Sequence, residues 1–316
     1  MKPPRRRPFL LVPLLALAIA ASVAACDRGG GKAVLEERPV TEGPTPLGRQ
    51  LPEKVRIARE IRVGSDVSYA PLEFYDSLAP DVLDASSGAA APQVQGIDPD
   101  LAAELGRKLG VRFSFTNVKF DSLMDELKSG RIDVIISGMS ATPERAGQIS
   151  FIEYFNSGTS ILVAKGNPKG IRGEADLCGR TVAMQSGTIQ EDLAKQLQPR
   201  CPAGRPLRMR PLGSGSQALL EVKYGGADAA LTDFPVAAYN AKVSNQGNDF
   251  EVAGKQIDSG PFGIGVRKED NGLREALRNA LRQIIADRSY DRVLSKWNVT
   301  DGALKTVAVL GAPRSQ

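Results

Sequence analysis

Residues 130–145, with the sequence GRIDVIISGMSATPER, constrain the fold more than any other stretch of this chain. Residues 132–136 are mostly β-branched and apolar, which is typical of a buried strand in a parallel sheet. Thr142 and Pro143 then have the residue types of a helix N-cap and a first helical residue. The chain therefore leaves the carboxyl end of a strand through a short loop that continues into a helix. Open α/β sheets bind their ligands at such places.

The loop between this strand and helix is rich in hydrogen-bond donors. It offers backbone N–H groups, the hydroxyls of Ser137 and Ser140, and the guanidinium of Arg145. A fixed cation with hydroxyl and amide donors suits a carboxylate. The alternative is that Arg145 is a solvated residue of the first helical turn, because most charged side chains are exposed.

Several motifs in a fixed order resemble the polar-amino-acid family, family 3, of extracytoplasmic solute-binding proteins of ABC importers. They are the stretch at 130–145, IRVGSD at 61–66, GIDPDL at 96–101 and VRK at 266–268. The resemblance covers about residues 61–298. It implies a two-lobed α/β fold of the periplasmic-binding-protein type. Each lobe is expected to be a mixed sheet flanked by helices, with a hinge of two strands near 156–164 and 254–262.

The same resemblance implies a function. The protein is expected to capture a polar or cationic amino acid by lobe closure and to deliver it to the membrane subunits of an ABC permease. No cofactor and no chemistry on the ligand are implied. The chain is expected to be a monomer.

Composition excludes other classes of protein. Four of the 41 basic residues lie in residues 1–25, which hold no acid, so the rest of the chain has 37 bases against 36 acids. A near-neutral chain with 5% aromatic residues argues against nucleic-acid binding. The absence of histidine excludes Ser-His-Asp and Cys-His triads and histidine zinc sites. The resemblance to binding proteins implies no chemistry on the ligand, so we expect no metal site and no catalytic residue.

The amino terminus has the pattern of an export signal. Lys2 and residues 5–7 are basic, and residues 9–21 form an apolar run. The run ends in VAAC, which resembles a lipoprotein signal box and makes Cys26 the first mature, lipid-carrying residue. Two acyl chains suffice for stable anchoring in the lipid bilayer. The expected location is the outer face of the cytoplasmic membrane, or the periplasm. An ordinary cleavage site with an incidental cysteine is the alternative.

The sequence divides into five predicted parts. Residues 27–53 are rich in glycine and proline and lack an apolar period, which indicates a flexible tether. Residues 75–95 are interpreted as a solvated insertion in the first lobe. The five parts are a lipoprotein signal peptide (1–25), the tether (26–53), a first lobe (54–157 and 258–299), a second lobe (158–257) and a tail (300–316).

The second lobe repeats part of the first. LKSGRIDVIIS at 127–137 aligns without gaps to VKYGGADAALT at 222–232, and both indicate a helix, a glycine stop and a strand. The next residue is Gly138 in the first copy and Asp233 in the second. One strand end therefore offers donors for a carboxylate and the other offers a carboxylate, as an α-amino acid requires. By resemblance, Arg145 binds the α-carboxylate and Asp233 the α-ammonium. Asp233 has also the residue type of a helix N-cap.

The resemblance assigns further residues to the ligand site. Asp66 and Tyr69 are expected to face the ligand side chain, and Phe120 either packs against it or acts as a hydrophobic staple of its own helix. The backbone around Thr188 and Ile189, at a helix N-terminus, is a second grip on the carboxylate. The full predicted set is Asp66, Tyr69, Phe120, Ser137, Gly138, Met139, Ser140, Arg145, Thr188, Ile189 and Asp233.

Asp66 makes the ligand prediction specific. A carboxylate closed inside a cleft needs donors. We therefore expect a ligand such as arginine, lysine, ornithine, histidine or glutamine, and Tyr69 and Phe120 could stack on a planar cation. The alternative is that Asp66 only bonds backbone N–H groups of its own loop. Glu73 is interpreted as structural, and Asp98 mainly as the cap of a helix that starts at the next residue.

Two other functions are open on the same fold. By resemblance, a few such proteins dehydrate prephenate-like acids, and Asp66 would then act as a general acid. A sensor or interaction module would need a fused signalling or membrane segment, and we expect none here.

The remaining cysteines flank a predicted strand and helix of the second lobe. An exported chain is in an oxidising compartment, so we expect a disulfide between Cys178 and Cys201. Closing a loop of about 24 residues contributes roughly 3.4 kcal/mol in the chain-entropy treatment.

Overall fold

The computed structural model describes residues 45–75 and 93–312. The predicted export signal, Cys26, most of the tether and most of the predicted insertion lie outside the described residues. The helices are α1 (Glu53–Ala58), α2 (Ile97–Leu109), α3 (Leu123–Lys128), α4 (Pro143–Ala146), α5 (Ile189–Leu197), α6 (Gly215–Lys223), α7 (Phe234–Val243), α8 (Asn271–Ala286) and α9 (Ser289–Trp297). The strands are β1 (Glu60–Ser65), β2 (Ser68–Tyr69), β3 (Glu73–Tyr75), β4 (Val94–Gln95), β5 (Arg112–Asn117), β6 (Val134–Ile135), β7 (Ser150–Ala164), β8 (Thr181–Gln185), β9 (Arg208–Leu212), β10 (Ala229–Asp233), β11 (Phe250–Val266) and β12 (Val309–Leu310).

A mixed sheet runs through the described part of the chain. Its strand order is β5-β1-β6-β11-β7-β10-β8-β9, and β12 also pairs with β7. The first half of the sheet (β5, β1, β6) and the second half (β9, β8, β10) are each internally parallel. Strands β2, β3 and β4 form a separate small sheet. The predicted mixed α/β class is confirmed.

The central strands of both halves are buried and apolar, as strands covered on both faces must be. In the first half Val134 and Ile135 are fully buried, and in the second half Ala229 and Ala230 occupy the matching strand and are equally buried. The predicted strand at 132–136 is thus present in its central part, and the predicted repeat corresponds to the strands β6 and β10.

Strands β7 and β11 connect the two halves. They pair in antiparallel fashion along most of their length, with register shifts between Ala253 and Gly260. Strand β7 pairs with β12 near its beginning and with β10 near its end. The two segments predicted as a hinge therefore lie in strands that run from one half of the sheet to the other.

Helix α2 begins earlier than predicted. Gly96, not Asp98, occupies the N-cap position, and Asp98 lies buried inside the first turn. Gly96 has φ 139° and approaches the backbone of Leu72 so closely that a Cβ would lie 2.1 Å from its carbonyl oxygen. Glycine is required at this position, and the interpretation of Asp98 as the helix cap is wrong.

Both ends of the described chain pack on the core. Leu47 and Leu51, in the predicted tether, are buried, and the Oγ1 of Thr45 donates to the Lys108 carbonyl at 2.7 Å. Apolar side chains thus extend the folded part to residue 45. In the predicted tail, β12 pairs with β7.

The predicted disulfide is confirmed. Cys178 and Cys201 are bonded, with their Cα atoms 5.3 Å apart. No helix within the described ranges combines the length and the apolar character needed to cross a bilayer.

Candidate functional site

A cleft lies where the carboxyl ends of strands from both halves of the sheet meet. The first half contributes the segments after β1, β5 and β6, and the second half contributes the ends of β8 and β10 and the start of α5. This is the place predicted from the strand–loop–helix pattern. The residues that line the cleft are Tyr69, Phe120, Gly138, Ser140, Arg145, Gln185, Thr188, Ile189, Gln190 and Asp233.

Arg145 is fixed at the start of α4. The Oγ1 of the N-cap Thr142 accepts a hydrogen bond from the Arg145 backbone N–H at 3.2 Å. The guanidinium donates to the carbonyls of Ser140 and Gly187, each at 2.9 Å, and its carbon lies 5.5 Å from the centre of the Phe120 ring. Burial lowers the pKa of Arg145. A guanidinium has five donors, so two carbonyls leave others for a carboxylate.

Asp233 is at the N-cap position of α7, but its side chain makes no capping bond. One carboxylate oxygen accepts from the Tyr69 hydroxyl at 2.8 Å, and the other accepts from the Gln190 amide at 3.0 Å. Burial raises the pKa of Asp233 to about 6, and the hydrogen bonds from Tyr69 and Gln190 oppose that rise. The carboxylate is therefore ionised at neutral pH, and its hydrogen-bond donors are both neutral.

The two halves of the molecule contact each other directly across the cleft. Tyr69 comes from the first half, and its hydroxyl also shares a hydrogen bond with the Thr232 hydroxyl and accepts from the Asp233 N–H. From the second half, the Gln185 amide donates to the Asp66 carboxylate of the first half at 2.6 Å. The cleft is thus closed by polar bonds between the strand ends of both halves.

Asp66 is buried beside the cleft rather than in its lining. One carboxylate oxygen accepts from the Ser68 hydroxyl at 2.8 Å, and the other accepts from Gln185. These donors are side chains, so Asp66 does not serve only the backbone N–H groups of its own loop.

Two other predicted residues lie behind the cleft. The Ser137 hydroxyl donates to Glu73 at 2.7 Å and accepts from the Asp66 N–H at 2.9 Å. The Met139 side chain is buried in an apolar cluster, and its carbonyl accepts from the Gly263 N–H. Direct ligand contact by Asp66, Ser137 and Met139 stays a prediction, as does ligand binding by the residues in the lining.

Helix α5 presents its N-terminus to the cleft. The Thr188 hydroxyl donates to the Gln185 carbonyl at 2.7 Å and accepts from the Glu191 N–H. The Glu191 carboxylate in turn accepts from the Gly187 N–H at 2.7 Å. The predicted turn therefore exists, with Thr188 as its cap and Ile189 in the cleft lining.

Sequence reasoning missed two glutamines of the site. Gln185 is the last residue of β8 and Gln190 is in the first turn of α5, and both are buried polar residues. Both positions follow the rule that pointed to Asp233, because each lies at the carboxyl end of a strand or just after it. Because glutamine is uncharged, neither residue stood out in the sequence as a partner for a charged ligand.

No group of three or more cysteine or acidic side chains in residues 45–75 and 93–312 is placed to hold a metal ion.

Comparison with known proteins gives matches over most of the chain. The sequence model described as bacterial extracellular solute-binding proteins, family 3, matches residues 61–300. ABC transporter arginine-binding protein 1 of Escherichia coli strain K12 is 31% identical over 245 residues, which cover 76% of this chain and 91% of the relative. The histidine-binding periplasmic protein of Salmonella typhimurium strain LT2 is 30% identical over 246 residues, covering 76% and 88%.

A solved structure is similar over the same region. It is the ancestral amino acid-binding protein AncCDT-1, described as a precursor of cyclohexadienyl dehydratase. The two structures superpose with a TM-score of 0.66 at 33% sequence identity, over 77% of this chain and 97% of the other.

Proposed function

Because the chain belongs to the bacterial extracellular solute-binding proteins, family 3, we propose that it captures a cationic amino acid for an ABC importer, with L-arginine as the preferred ligand. Two of its relatives are an arginine-binding and a histidine-binding protein. The observation that carries the proposal is that Arg145 and Asp233 line one cleft from opposite halves of the sheet.

The backbone of an amino acid matches these two charges. The α-carboxylate pairs with the Arg145 guanidinium and with N–H groups around Thr188 and Ile189. The α-ammonium pairs with Asp233. This assignment is supported by the neutral donors around Asp233, because a buried carboxylate without a paired cation gains most from an incoming ammonium.

The ligand side chain meets Asp66. That carboxylate also has only neutral donors, Ser68 and Gln185, so a guanidinium gives it the opposite charge that it lacks. Tyr69 and Phe120 supply aromatic surface in the same cleft, which favours a planar cation over an ammonium.

Capture follows from closure of two lobes. The first comprises residues 54–157 and 258–299, the second comprises residues 158–257, and β7 and β11 form the hinge. The Tyr69–Asp233 and Gln185–Asp66 bonds belong to the closed state. In the mature protein, Cys26 carries lipid and anchors the protein to the outer face of the membrane.

A thermal-shift screen of the full-length protein against the common amino acids and ornithine tests the ligand. Arginine should raise the melting temperature most, because a ligand at 100 times its dissociation constant adds about 2.7 kcal/mol to the stability. Stabilisation by glutamate or by a branched aliphatic amino acid would contradict the role of Asp66 and leave Arg145 and Asp233 in place. If no amino acid stabilises the protein, the proposal is wrong.

The runner-up is a cyclohexadienyl dehydratase. It is favoured by the buried Asp66 carboxylate beside the cleft and by the similarity to a precursor of such an enzyme. Incubation with prephenate or arogenate, followed by an absorbance scan, separates the two functions. Formation of an aromatic product, lost in Asp66→Asn, would favour the enzyme, and we expect no product.

Lipid anchoring has a test of its own. Cys26→Ser should give soluble or unprocessed protein, because the acylated residue is gone. Membrane fractionation of a processed variant that matches the wild type would contradict the lipoprotein assignment.

A further inference from the structure

Two buried carboxyl groups lie behind the loop that follows β6. Glu73 in β3 and Asp98 in α2 are both inaccessible to solvent, and their carboxyl groups interact with each other. One oxygen of Asp98 accepts from the Gly138 N–H at 2.9 Å, and the other accepts from the Tyr154 hydroxyl at 2.8 Å. Asp98 therefore fixes a glycine of the cleft lining.

Glu73 fixes the residue before that glycine. Its Oε1 accepts from the Ser137 hydroxyl at 2.7 Å, and that hydroxyl accepts from the Asp66 N–H at 2.9 Å. Through Ser137, the Glu73 carboxyl also holds the backbone of the loop after β1. The pair thus supports two of the segments that the first half of the sheet contributes to the cleft, those after β1 and β6.

The contacts of the pair allow one proton to be located. Glu73 Oε2 is buried and accepts a hydrogen bond from no donor in the described part of the chain. The groups facing the pair are Ser137, Gly138, the Tyr154 hydroxyl and the Asp66 carboxylate, and no lysine or arginine of the described residues bonds to either acid. Two interacting carboxylates that are fully buried and have no cation beside them cannot both be ionised.

The distribution of donors decides which acid keeps the proton. Asp98 receives two donors besides Glu73, and Glu73 receives one. A proton on Glu73 Oε2 gives that atom a partner and gives Asp98 a third donor. Burial raises the pKa of both acids, that of Glu73 well above its usual range and that of Asp98 to about 6, so a carboxyl proton is retained in this pair.

We propose that Glu73 and Asp98 are positioning residues of the ligand site that share a single proton held on Glu73. Neutral Glu73 holds Ser137, and ionised Asp98 holds Gly138, so the loop keeps one conformation before the ligand arrives. This inference rests on the proposed ligand site, but the protonation of Glu73 does not depend on any ligand.

Calorimetric titration of the full-length protein with L-arginine at pH 7 tests the positioning role. Glu73→Gln keeps a donor toward Asp98 and an acceptor toward Ser137, whereas Asp98→Asn removes the charge and one of the two acceptor oxygens that hold the Gly138 N–H and the Tyr154 hydroxyl. Asp98→Asn should therefore weaken binding at least tenfold more than Glu73→Gln. Glu104→Gln, an acid of the same helix that pairs with Arg107, is the control. Equal losses, or a larger loss in Glu73→Gln, would overturn the assignment.

Infrared spectroscopy tests the proton without any ligand. At pH 8 the wild-type protein should show the carbonyl band of a buried carboxylic acid, and Glu73→Gln should lose it. Absence of the band in the wild type, or its persistence in Glu73→Gln, overturns the proposal even if Asp98→Asn does not fold. If L-arginine fails to bind the wild type while the band behaves as expected, the ligand assignment is wrong and the shared proton stands.

Discussion

The two halves of the sheet have the same local design at the strands β6 and β10. In the first half, Asp133 accepts from the Arg62 N–H at 3.1 Å, and in the second half Asp228 accepts from the Thr181 N–H at 2.8 Å. In both halves this aspartate ties the start of the strand to its parallel neighbour. The repeated sequence therefore produces the same hydrogen bond in both halves. It also gives both halves the same number of residues between the glycine that ends the helix and the end of the strand.

The halves differ at the residue after the aligned segment. Gly138 has φ 51°, and a Cβ there would lie 2.6 Å from a methyl carbon of Leu72. Asp233 has an ordinary extended backbone and room for its carboxylate beside Tyr69. A side chain is thus disfavoured at the first strand end, and an aspartate is accommodated at the second. The two strand ends thus share one backbone frame, but the second carries a carboxylate at its last residue, whereas the charge beside the first comes from Arg145 in the helix that follows.

Removing the cation of the first half should have the largest effect. Arg145→Ala leaves the ligand carboxylate poorly paired in a closed cleft, which weakens binding by roughly 2–5 kcal/mol. This corresponds to a loss of about 30-fold to several thousand-fold in affinity. Calorimetry measures it, with Arg131→Ala, an exposed residue that pairs with Glu126, as the control. A loss below about threefold would show that the first strand end does not bind the carboxylate.

The disulfide marks a second difference between the halves. Helix α2 of the first half packs on α8 and α9, whereas α5 of the second half packs on β8, β9 and β10. The Cys178–Cys201 disulfide joins the two ends of the segment that contains β8 and α5. The double variant Cys178→Ser/Cys201→Ser should lose roughly 3.4 kcal/mol of unfolding free energy. Urea denaturation measures the loss. An unchanged midpoint would mean that the second half is held by packing alone.

Local signals account for what could be predicted of the fold. The N-terminus of α5 lies where it was predicted, at Thr188 and Ile189, because a turn of small residues with a threonine cap precedes the helix. Strand β6 is shorter than its apolar run, since a run of buried residues does not say how far pairing continues. The strand order was beyond local signals, because it depends on contacts between residues far apart in the chain.

The residues of the site also fall into two groups, those that local sequence signals locate and those that only contacts between distant residues define. Arg145 and Asp233 could be located because they combine a charge with a position after a strand. The Gln185–Asp66 bond joins residues 119 positions apart and involves an uncharged amide, so nothing in the sequence pointed to it. Asp98 was interpreted from its place before a proline, but its neighbours in space decide its role.

The carboxylate of the second half should make binding depend on pH. Burial raises the pKa of Asp233 to about 6 in the folded protein, above its value in the unfolded chain. The stability that this protonation provides is present below about pH 4 and is lost as the pH rises through about 6. An ammonium ligand needs the ionised form, so affinity should fall about tenfold per pH unit below pH 6.

Calorimetry at pH 7 and pH 5 measures this dependence. The wild type should bind L-arginine about tenfold more weakly at pH 5, and Asp233→Asn, weak at both values, should lose less between them. The difference between the two proteins isolates Asp233 from Asp98, which titrates in the same range. Equal pH profiles would remove Asp233 from the ammonium site.

Removal of the hydrogen bond between Gln185 and Asp66 should have the smallest effect, because the Asp66 carboxylate loses only one neutral donor. In Gln185→Leu the Asp66 carboxylate keeps only the Ser68 hydroxyl, so the closed state needs a donor from the ligand. The guanidinium of arginine supplies a charged donor, whereas the amide of glutamine supplies a weaker one. The preference for arginine over glutamine should therefore rise about three- to tenfold, which corresponds to the net contribution of one hydrogen bond.

Gln196→Leu, on the exposed face of α5, is the matched control and should leave the preference unchanged. Competition calorimetry measures the ratio. If Gln185→Leu weakens both ligands equally, Gln185 closes the cleft without selecting the side chain, and the two halves share the backbone of the ligand but not its specificity.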